Sequence, residues 1–410
     1  MESNPGLLPA DVLLEVFSYF SYTDLLKIQF VCKWWQQISR QKYLWRNIVY
    51  KPGETDNTKN IIDNLKVSPS LQAIDLRYIK HCTITKELLE EVNRCPKLVK
   101  LAVFWDWLHN KHVVMKKIKI LIVDIKEEDL DSFDNRVDLK YVLMYFPNLE
   151  HLDCSFNILR ECDIEAYLKK KRRSLHTVGF HCETNGMKCI VPYLSLCKAL
   201  KTLTLYCLCG QIGHLPDKST EHLKQILSLT IRDSGWYTIS DCLPMFRYFP
   251  NVVVLQFDKC DFCDEQAFLV VANSCPLIEK LTLSCLDFTD RNLKYVSNFK
   301  KLTFLCLKSN RYISDACVAH LQAISGLRHL DILDCEGLTP QCLIPLFSFD
   351  KLEILKFDLL NCDPPADLEA THVNNPDLHV MFYNCKDTGV LDRLRHQRVR
   401  ISLLKGNPDC

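Results

Sequence analysis

The chain has 410 residues, of which 48% are apolar and 25% are charged, a composition typical of a folded protein with a large core. Its 51 lysines and arginines nearly balance its 50 aspartates and glutamates, which leaves a net charge of +1. A protein whose main partner is a phosphate backbone carries a basic excess, so we expect no nucleic acid partner.

The sequence has no stretch of about 18 uninterrupted apolar residues, and its first residues lack the basic and apolar regions of a secretion signal. We therefore expect no membrane partner and a location in the cytosol or the nucleus. The 22 cysteines are scattered along the chain. Because thiols stay reduced inside cells, we interpret them as small buried apolar residues, and we expect no cofactor.

Residues 7–46 predict three short helices. The first begins near Pro9, and the third runs toward Trp45. Their apolar stripes are broader than three short helices can bury among themselves, and the segment is shorter than the roughly 55 to 65 residues at which domains commonly stand alone. Either a partner protein covers this surplus apolar surface, or the adjacent Trp34 and Trp35 pack on the part of the chain that follows.

A distinctive order of residue types runs through this segment: Leu8, Pro9, Asp11, Val16, Phe17, Ser18, Tyr19, Asp24, Leu25, Val31, Cys32, Trp35, Leu44 and Trp45. In this order the segment resembles an F-box, a short helical domain. The departures are Asp11 where glutamate is usual, Phe20 where leucine is usual, and Trp34 in place of a basic residue. F-boxes bind a Skp-type linker protein that attaches them to a cullin scaffold.

The resemblance implies that the surplus apolar surface of residues 7–50 is a linker-binding interface, with cullin and RING subunits as indirect partners. The residues that it implies for linker binding are Leu8, Pro9, Leu13, Val16, Phe17, Leu25, Val31, Cys32, Trp35 and Trp45. Residues 51–67 begin polar and turn-rich and then become helical. We predict that they form a connector that caps the first repeat of the segment that follows.

From residue 68 to about residue 390 the chain repeats one pattern: an apolar residue, two others, an apolar residue, one other and an apolar residue. The first apolar positions are Leu71, Leu98, Ile118, Leu149, Leu175, Leu200, Ile226, Val252, Ile278, Leu302, Leu327, Leu352 and Leu378. Their mean spacing is about 26 residues, which lies within the range of leucine-rich repeats. We therefore predict a series of about 13 units.

A helical run follows most of the predicted strands, and a residue that can cap a helix precedes it. The predicted caps are Thr85, Ser240, Thr289, Ser314 and Thr339. Pro340 fits the first helical position. Each unit is then a strand followed by a helix, and because one unit cannot bury its own apolar face, the units stack.

The repeats resemble the cysteine-containing leucine-rich repeats, in which a cysteine often follows the strand, as in "LTLYC" and "LDILDC". The implied fold is α/β: a three-helix F-box followed by a leucine-rich-repeat solenoid, a curved parallel sheet with helices on its convex side. Residues 391–410 are expected to form a C-terminal cap or tail. Cys260 and Cys263 form a CxxC, but zinc needs four ligands and no second pair stands at a suitable spacing, so we predict no metal site.

The alternation along each strand predicts a face that binds a target protein. The three apolar residues face the core, so the position after the last of them faces the concave surface. Along the array this position reads Arg77, Phe104, Asp124, Ser155, His181, Tyr206, Arg232, Asp258, Ser284, Lys308, Leu333, Asp358 and Asn384. The predicted target contacts are Phe104, His181, Tyr206, Arg232, Asp258, Lys308 and Asp358. With strands about 4.8 Å apart, the row spans on the order of 60 Å, enough for a folded domain or a long peptide.

Three irregular features leave alternatives open. Trp105 and Trp107 follow a strand and either anchor a partner or fill the gap left by a short repeat. The insertion at residues 207–222, which contains His214, is the most loop-like part of the repeats and also competes for target binding. The run "KKKRR" at residues 169–173 is either a nuclear import signal or a helix end favoured by the helix dipole, and we prefer the second interpretation.

An F-box in front of leucine-rich repeats is similar to the substrate-recognition subunit of an SCF-type ubiquitin ligase. The resemblance implies a non-catalytic adaptor that holds a target protein near a loaded ubiquitin-conjugating enzyme. An alternative is a scaffold that uses the linker protein without cullin. An enzyme is disfavoured, because no Gly-rich phosphate loop, nucleophile elbow or paired-ligand metal motif accompanies the cysteines and histidines.

Overall fold

The computed structural model divides the chain into two compact units, Met1–Phe180 and His181–Cys410. The residues that it describes are 8–46, 48–53, 56–68, 70–79, 84–108, 112–124, 138–158, 161–181, 193–206, 221–232, 243–260, 266–284, 288–359, 365, 367–368, 371–385 and 400–404. Among these residues, no helix combines the length and the apolar character that crossing a membrane requires.

The first unit begins with four short helices instead of the predicted three. They are α1 (Ala10–Ser18), α2 (Tyr22–Ile28), α3 (Lys33–Ser39) and α4 (Lys42–Trp45). Ser21 caps α2, because its hydroxyl accepts from the Asp24 amide at 3.2 Å while the Asp24 carboxylate accepts from the Ser21 amide at 3.3 Å.

The predicted third helix is split in two because Gln41 is extended, with φ −63° and ψ 134°. The indole Nε1 of Trp45 donates to the Ser39 carbonyl oxygen at 2.6 Å. The last carbonyls of a helix have no partner within it, so this bond satisfies one of the groups that the end of α3 leaves open. The break needs neither glycine nor proline, which is why the sequence pattern did not predict it.

Aromatic side chains join the four helices to the repeats within the first unit. Tyr22 stacks on Tyr50 with ring centroids 4.1 Å apart and meets Trp45 edge to face at 5.7 Å. The Tyr22 and Ser68 hydroxyl oxygens lie 3.5 Å apart. Burial raises the pKa of Tyr50 to about 12. Together these contacts fix α2 and α4 against the first strand of the repeats.

The remainder of the first unit alternates helices with parallel strands that pair in chain order. The strands are β1 (Val49–Tyr50), β2 (Ala73–Asp75), β3 (Lys100–Phe104), β4 (Ile120–Asp124), β5 (His151–Ile158) and β6 (Thr177–His181). The helices are α5 (Thr58–Lys66), α6 (Lys86–Arg94), α7 (Trp105–Leu108), α8 (Leu139–Tyr145) and α9 (Glu161–Lys171). The predicted connector therefore contains α5, whose first turn is capped by Asn57.

The second unit repeats the same arrangement, again with parallel strands in chain order. Its strands are β7 (Thr202–Tyr206), β8 (Ser228–Arg232), β9 (Val254–Asp258), β10 (Lys280–Ser284), β11 (Phe304–Lys308), β12 (His329–Leu333), β13 (Ile354–Asp358), β14 (His379–Tyr383) and β15 (Arg400–Leu404). Its α-helices are α10 (Ala267–Ser274), α11 (Asp290–Val296), α12 (Cys317–Gln322) and α13 (Leu343–Leu346). Short 3-10 helices lie at Glu221–Gln225, Leu243–Tyr248 and Pro340–Cys342.

The leucine-rich-repeat pattern is confirmed, since each of the strands β2 to β14 lies at one of the predicted copies. The strands β1 and β15 add one parallel strand outside the predicted series at either end. The apolar positions face the helices: Phe257 of β9 meets Phe268 of α10 edge to face at 6.1 Å, and both are buried. The residues that alternate with these apolar positions along each strand define the opposite face of each sheet, which we call the open face.

The predicted register is correct for most of the row and wrong at its end. Tyr206, Arg232 and Asp258 are aligned partners in neighbouring strands, as the even spacing predicts. In the last predicted copy the first two apolar residues, Leu378 and Val380, are two positions apart, whereas they are three apart in the other copies. As a result Tyr383, and not Asn384, pairs with Asp358. Asn384 lies just past the strand in a left-handed conformation, with φ 53°.

The helix starts also join neighbouring repeats. Thr85 caps α6 as predicted, and its hydroxyl accepts from the Leu88 amide at 3.2 Å. Ser314 lies three residues before Cys317, the first residue of its helix. Its hydroxyl accepts from the Ala316 amide at 3.3 Å and donates to the Asp290 carboxylate of the preceding repeat at 2.6 Å. Thr339 caps the short helix that begins at Pro340, and its amide donates to Asp315 at 2.8 Å. Thr289 caps α11, whereas the predicted cap Ser240 lies outside the described residues.

The cysteine that follows a strand is part of the repeat itself. Cys260 and Cys335 are buried thiols that donate to the carbonyls of Ile231 and Leu307 in the preceding strand, at 3.5 and 3.6 Å. The amide of Asn310 makes the equivalent bond. This geometry gives Cys260 a structural role, and its CxxC partner Cys263 lies outside the described residues.

Candidate interaction surfaces

The residues implied for linker binding divide into two groups by exposure. The side chains of Leu13, Phe17, Leu25 and Trp45 are at most 1% exposed and hold the four helices together. Leu8, Pro9, Val16, Val31 and Cys32 are exposed, and Trp35 is half-buried against Phe17 with ring centroids 5.3 Å apart. The first group is therefore positioned to support an interface, and the second group to contact a partner.

Val12, Tyr19 and Phe30 are also exposed, although the resemblance did not imply them as contacts. With three of the implied contacts they form a set that we call the exposed apolar group: Leu8 (55% exposed), Val12 (44%), Val16 (42%), Tyr19 (80%), Phe30 (82%) and Val31 (60%). Val12, Val16 and Tyr19 are spaced by four and three residues and share one face of α1, whereas Leu13 and Phe17 on another face are buried. Since α1 is apolar on both faces, its periodicity alone does not show which face is left open.

Trp34, the unusual residue of this segment, lies beside the exposed apolar group. Its indole Nε1 donates to the Leu8 carbonyl oxygen at 3.3 Å, and the side chain is half-buried. This bond joins the segment before α1 to the start of α3. Trp34 and Trp35 thus each contact residues of the same helical segment.

Residues 6–51 match the F-box-like family model. The chain combines an F-box-like domain with leucine-rich repeats. Among solved structures, an internalin from Listeria monocytogenes is similar over 97% of this chain and 95% of its own, at 13% identity and a TM-score of 0.38.

On the open face of the repeats, three neighbouring residues of the predicted row contact one another. The Arg232 guanidinium lies 5.9 Å from the centre of the Tyr206 ring, and its Nε is 3.3 Å from the Asp258 carboxylate. Tyr206 is 5% exposed, whereas the side chains of Arg232 and Asp258 are 40% and 30% exposed. This part of the open face therefore presents a partly exposed charge pair beside a buried aromatic ring.

Several other residues of the predicted row are buried or half-buried, although the row was predicted to face the concave surface. Asp358 is 7% exposed and accepts from the Asn384 amide at 3.0 and 3.1 Å. Leu333 is fully buried between Asp358 and the half-buried Lys308. The side chain of Phe104 is half-buried, and that of His181 lies outside the described residues.

The irregular features of the first unit are largely explained by packing. Trp105 is 3% exposed and meets Tyr141 edge to face at 5.4 Å, so it fills the space beside the short repeat. The Trp107 side chain and the loop with His214 lie outside the described residues. Lys171 is 5% exposed and donates to the carbonyls of Pro147 and Leu149, which supports the helix-end interpretation of residues 169–173.

Proposed function

We propose that this chain is the target-recognition subunit of an SCF-type ubiquitin ligase and that its F-box-like domain binds a Skp-type linker protein. The observation that carries the proposal is the exposed apolar group, in which Tyr19 and Phe30 are 80% and 82% exposed. Large apolar side chains clustered in one small domain mark interaction sites, because leaving them in water costs free energy that a partner recovers.

The contribution of the chain to ubiquitin transfer is proximity. Linker binding attaches the F-box-like domain to the cullin machinery, and the repeats hold a target so that one of its lysines stays near the loaded conjugating enzyme. The open face supplies candidate contacts for the target, and Arg232, Asp258 and Lys308 are among its partly exposed charged residues. No covalent step is assigned to this chain.

The test is a pull-down of a purified Skp-type linker protein by the full-length chain. Val16→Glu and Phe30→Glu each place a charge in the exposed apolar group, and we expect each to reduce the affinity by about tenfold or more. Val270→Glu is the matched control, because Val270 lies on α10 in the repeats and is 39% exposed, close to the 42% of Val16.

Equal linker binding by all three variants and the unsubstituted chain would contradict the proposal. In a separate affinity purification of the full-length chain from a cell lysate, recovery of the linker protein without cullin would instead favour the scaffold alternative. Thermal unfolding of each variant serves as the folding control, and we expect little change because the substituted side chains are exposed.

A further inference from the structure

A cleft of about 660 Å³ lies in the first unit, at the turns that precede the strands β3, β4 and β5. Four of its lining side chains are the lysines Lys97, Lys116, Lys117 and Lys119, against the single carboxylate of Glu150. The charge of the whole chain is nearly balanced, so this cluster is a local departure from its average.

Two of the four lysines already have partners. Lys119 Nζ lies 2.7 Å from Glu150 Oε1, and this bond holds the pKa of the Glu150 carboxyl below its usual range. Lys117 Nζ donates to the Asn93 carbonyl oxygen at 3.3 Å. Within the described ranges, the side-chain ammonium of neither Lys97 nor Lys116 has a hydrogen-bond or ion-pair partner, and both side chains are exposed; only the Lys116 carbonyl oxygen is bonded, by the Asn148 amide at 2.8 Å. The cleft thus keeps two ammonium groups for an external anion.

A further cation lies beneath the cleft wall. Lys171 is 95% buried, with 5% of its surface exposed, and its ammonium donates to the carbonyls of Pro147, a lining residue, and of Leu149. Among the described residues it has no carboxylate within ion-pair distance. A buried ammonium without a counter-charge is screened weakly by water, so it adds to the positive potential of the cleft.

The repeat architecture does not require this many lysines. An equivalent cleft of about 370 Å³ in the second unit lies between the turns at Ser325 and Lys351 and contains one lysine and the carboxylate of Asp350. There Lys351 Nζ donates to the Ser325 carbonyl at 3.1 Å, the same kind of bond that Lys117 makes. One lysine is therefore accounted for by the turn, and Lys97 and Lys116 are additional.

We propose that the cleft binds an acidic segment of a partner protein, a stretch rich in aspartate and glutamate. The two unpartnered ammonium groups of Lys97 and Lys116 would pair with its carboxylates, while Pro96 and Pro147 provide apolar walls for side-chain stems. A peptide fits this mixed lining better than a nucleic acid, whose binding requires a continuous basic surface. The proposal does not depend on linker binding by the F-box-like domain.

The test uses the full-length chain and a fluorescently labelled peptide of eight glutamates, followed by fluorescence anisotropy. The ionic strength is set to about 20 mM, where exposed charges act over roughly 20 Å. The double variant Lys97→Glu/Lys116→Glu should bind the peptide about tenfold more weakly, because two attractive pairs become repulsive. The control Lys300→Glu/Lys351→Glu changes the net charge by the same amount in the second unit and should bind within about twofold of the unsubstituted chain.

Equal losses in both double variants would show non-specific attraction and overturn the proposal, as would no loss in either. Tighter binding of a labelled octathymidine than of the peptide, with the same dependence on Lys97 and Lys116, would also overturn it in favour of a nucleic acid. If the glutamate variant unfolds, Lys97→Gln/Lys116→Gln removes the same charges without repulsion and should still lower peptide affinity by about threefold or more.

Discussion

Between the end of α3 and the start of α4, the indole N–H of Trp45 donates to the carbonyl oxygen of Ser39 at 2.6 Å, and both residues are fully buried. The bond lets one side chain of the F-box-like domain serve two purposes. Its ring packs against Tyr22, the residue that stacks on Tyr50 of β1, while its nitrogen satisfies the end of α3.

We therefore expect Trp45→Phe to lower the free energy of unfolding by about 1 to 3 kcal/mol, since the variant keeps an aromatic ring but leaves a buried carbonyl without a donor. Thermal unfolding followed by circular dichroism measures the change. Trp34→Phe is the control, because its nitrogen bonds the carbonyl of exposed Leu8, which water can satisfy. Equal stability of the two variants would show that the Trp45 bond is not important.

A substitution at Leu25 distinguishes a residue that stabilises the F-box-like domain from one that contacts a partner. Its side chain is fully buried, so we expect Leu25→Ala to lower the free energy of unfolding by about 2 to 5 kcal/mol. Linker binding should fall with it, but recover at low temperature where the variant is folded. Persistent loss of binding by a fully folded variant would mean that Leu25 contacts the linker directly.

Substitutions on the two faces of β8 distinguish an effect on stability from an effect on target binding. Leu229 pairs with Leu203 and faces the helices, so Leu229→Ala should cost about 2 to 5 kcal/mol of stability through the cavity it leaves. Arg232→Ala, on the open face, should change stability by less than about 1 kcal/mol and weaken target binding. Chemical denaturation measures the first effect, and affinity purification of bound proteins measures the second. A destabilisation by Arg232→Ala as large as that of Leu229→Ala would contradict the assignment of the faces.

The strand register was predictable because buried leucines such as Leu203 and Leu229 recur at an almost constant spacing, and the alternation of a strand leaves only one way to face the core. The prediction failed at Asn384, because Leu378 precedes Val380 by two residues, whereas the first apolar residue of the other copies precedes the second by three. The helix-like spacing, in contrast, did not predict the break at Gln41, because the bond from Trp45 to the Ser39 carbonyl across the break is not visible in the apolar pattern.

The exposure of individual F-box residues was less predictable than the domain itself. Leu25 and Val31 both fit the resemblance, yet the first is fully buried and the second is 60% exposed. Helix periodicity identifies apolar faces but not which one the neighbouring helices cover. That choice depends on how α1 to α4 pack, and the packing follows from contacts between residues far apart in the sequence.

We expect the buried Cys335 thiol to make the free energy of unfolding decrease at alkaline pH. Burial raises the pKa of this thiol to about 12, above the value of about 8.5 expected in an unfolded chain. Its contribution is therefore fully present below about pH 8.5 and is lost as the pH rises toward 12, by up to about 1.4 kcal/mol per pH unit. Replacing it by serine, Cys335→Ser, keeps a donor that does not titrate and should flatten the decline between about pH 9 and 11.

Denaturation at a series of pH values measures that slope, with Cys32→Ser as the control because Cys32 is exposed. We expect the control to decline as steeply as the unsubstituted chain. Identical slopes in all three proteins would indicate that the Cys335 thiol ionises in the folded state as readily as in the unfolded one.

Lys170 and Lys171 are neighbours in one helix but differ in what they support. Lys171 is buried and donates to the carbonyls of Pro147 and Leu149, whereas Lys170 is exposed at the same end of α9. Lys171→Ala should therefore lower the free energy of unfolding by about 1 to 3 kcal/mol, because it leaves buried carbonyls without a donor, and Lys170→Ala should leave it almost unchanged. Thermal unfolding measures both. If Lys170→Ala abolished nuclear accumulation of a fluorescent fusion while the fold stayed intact, the run at residues 169–173 would be an import signal and the helix-end interpretation would be incomplete.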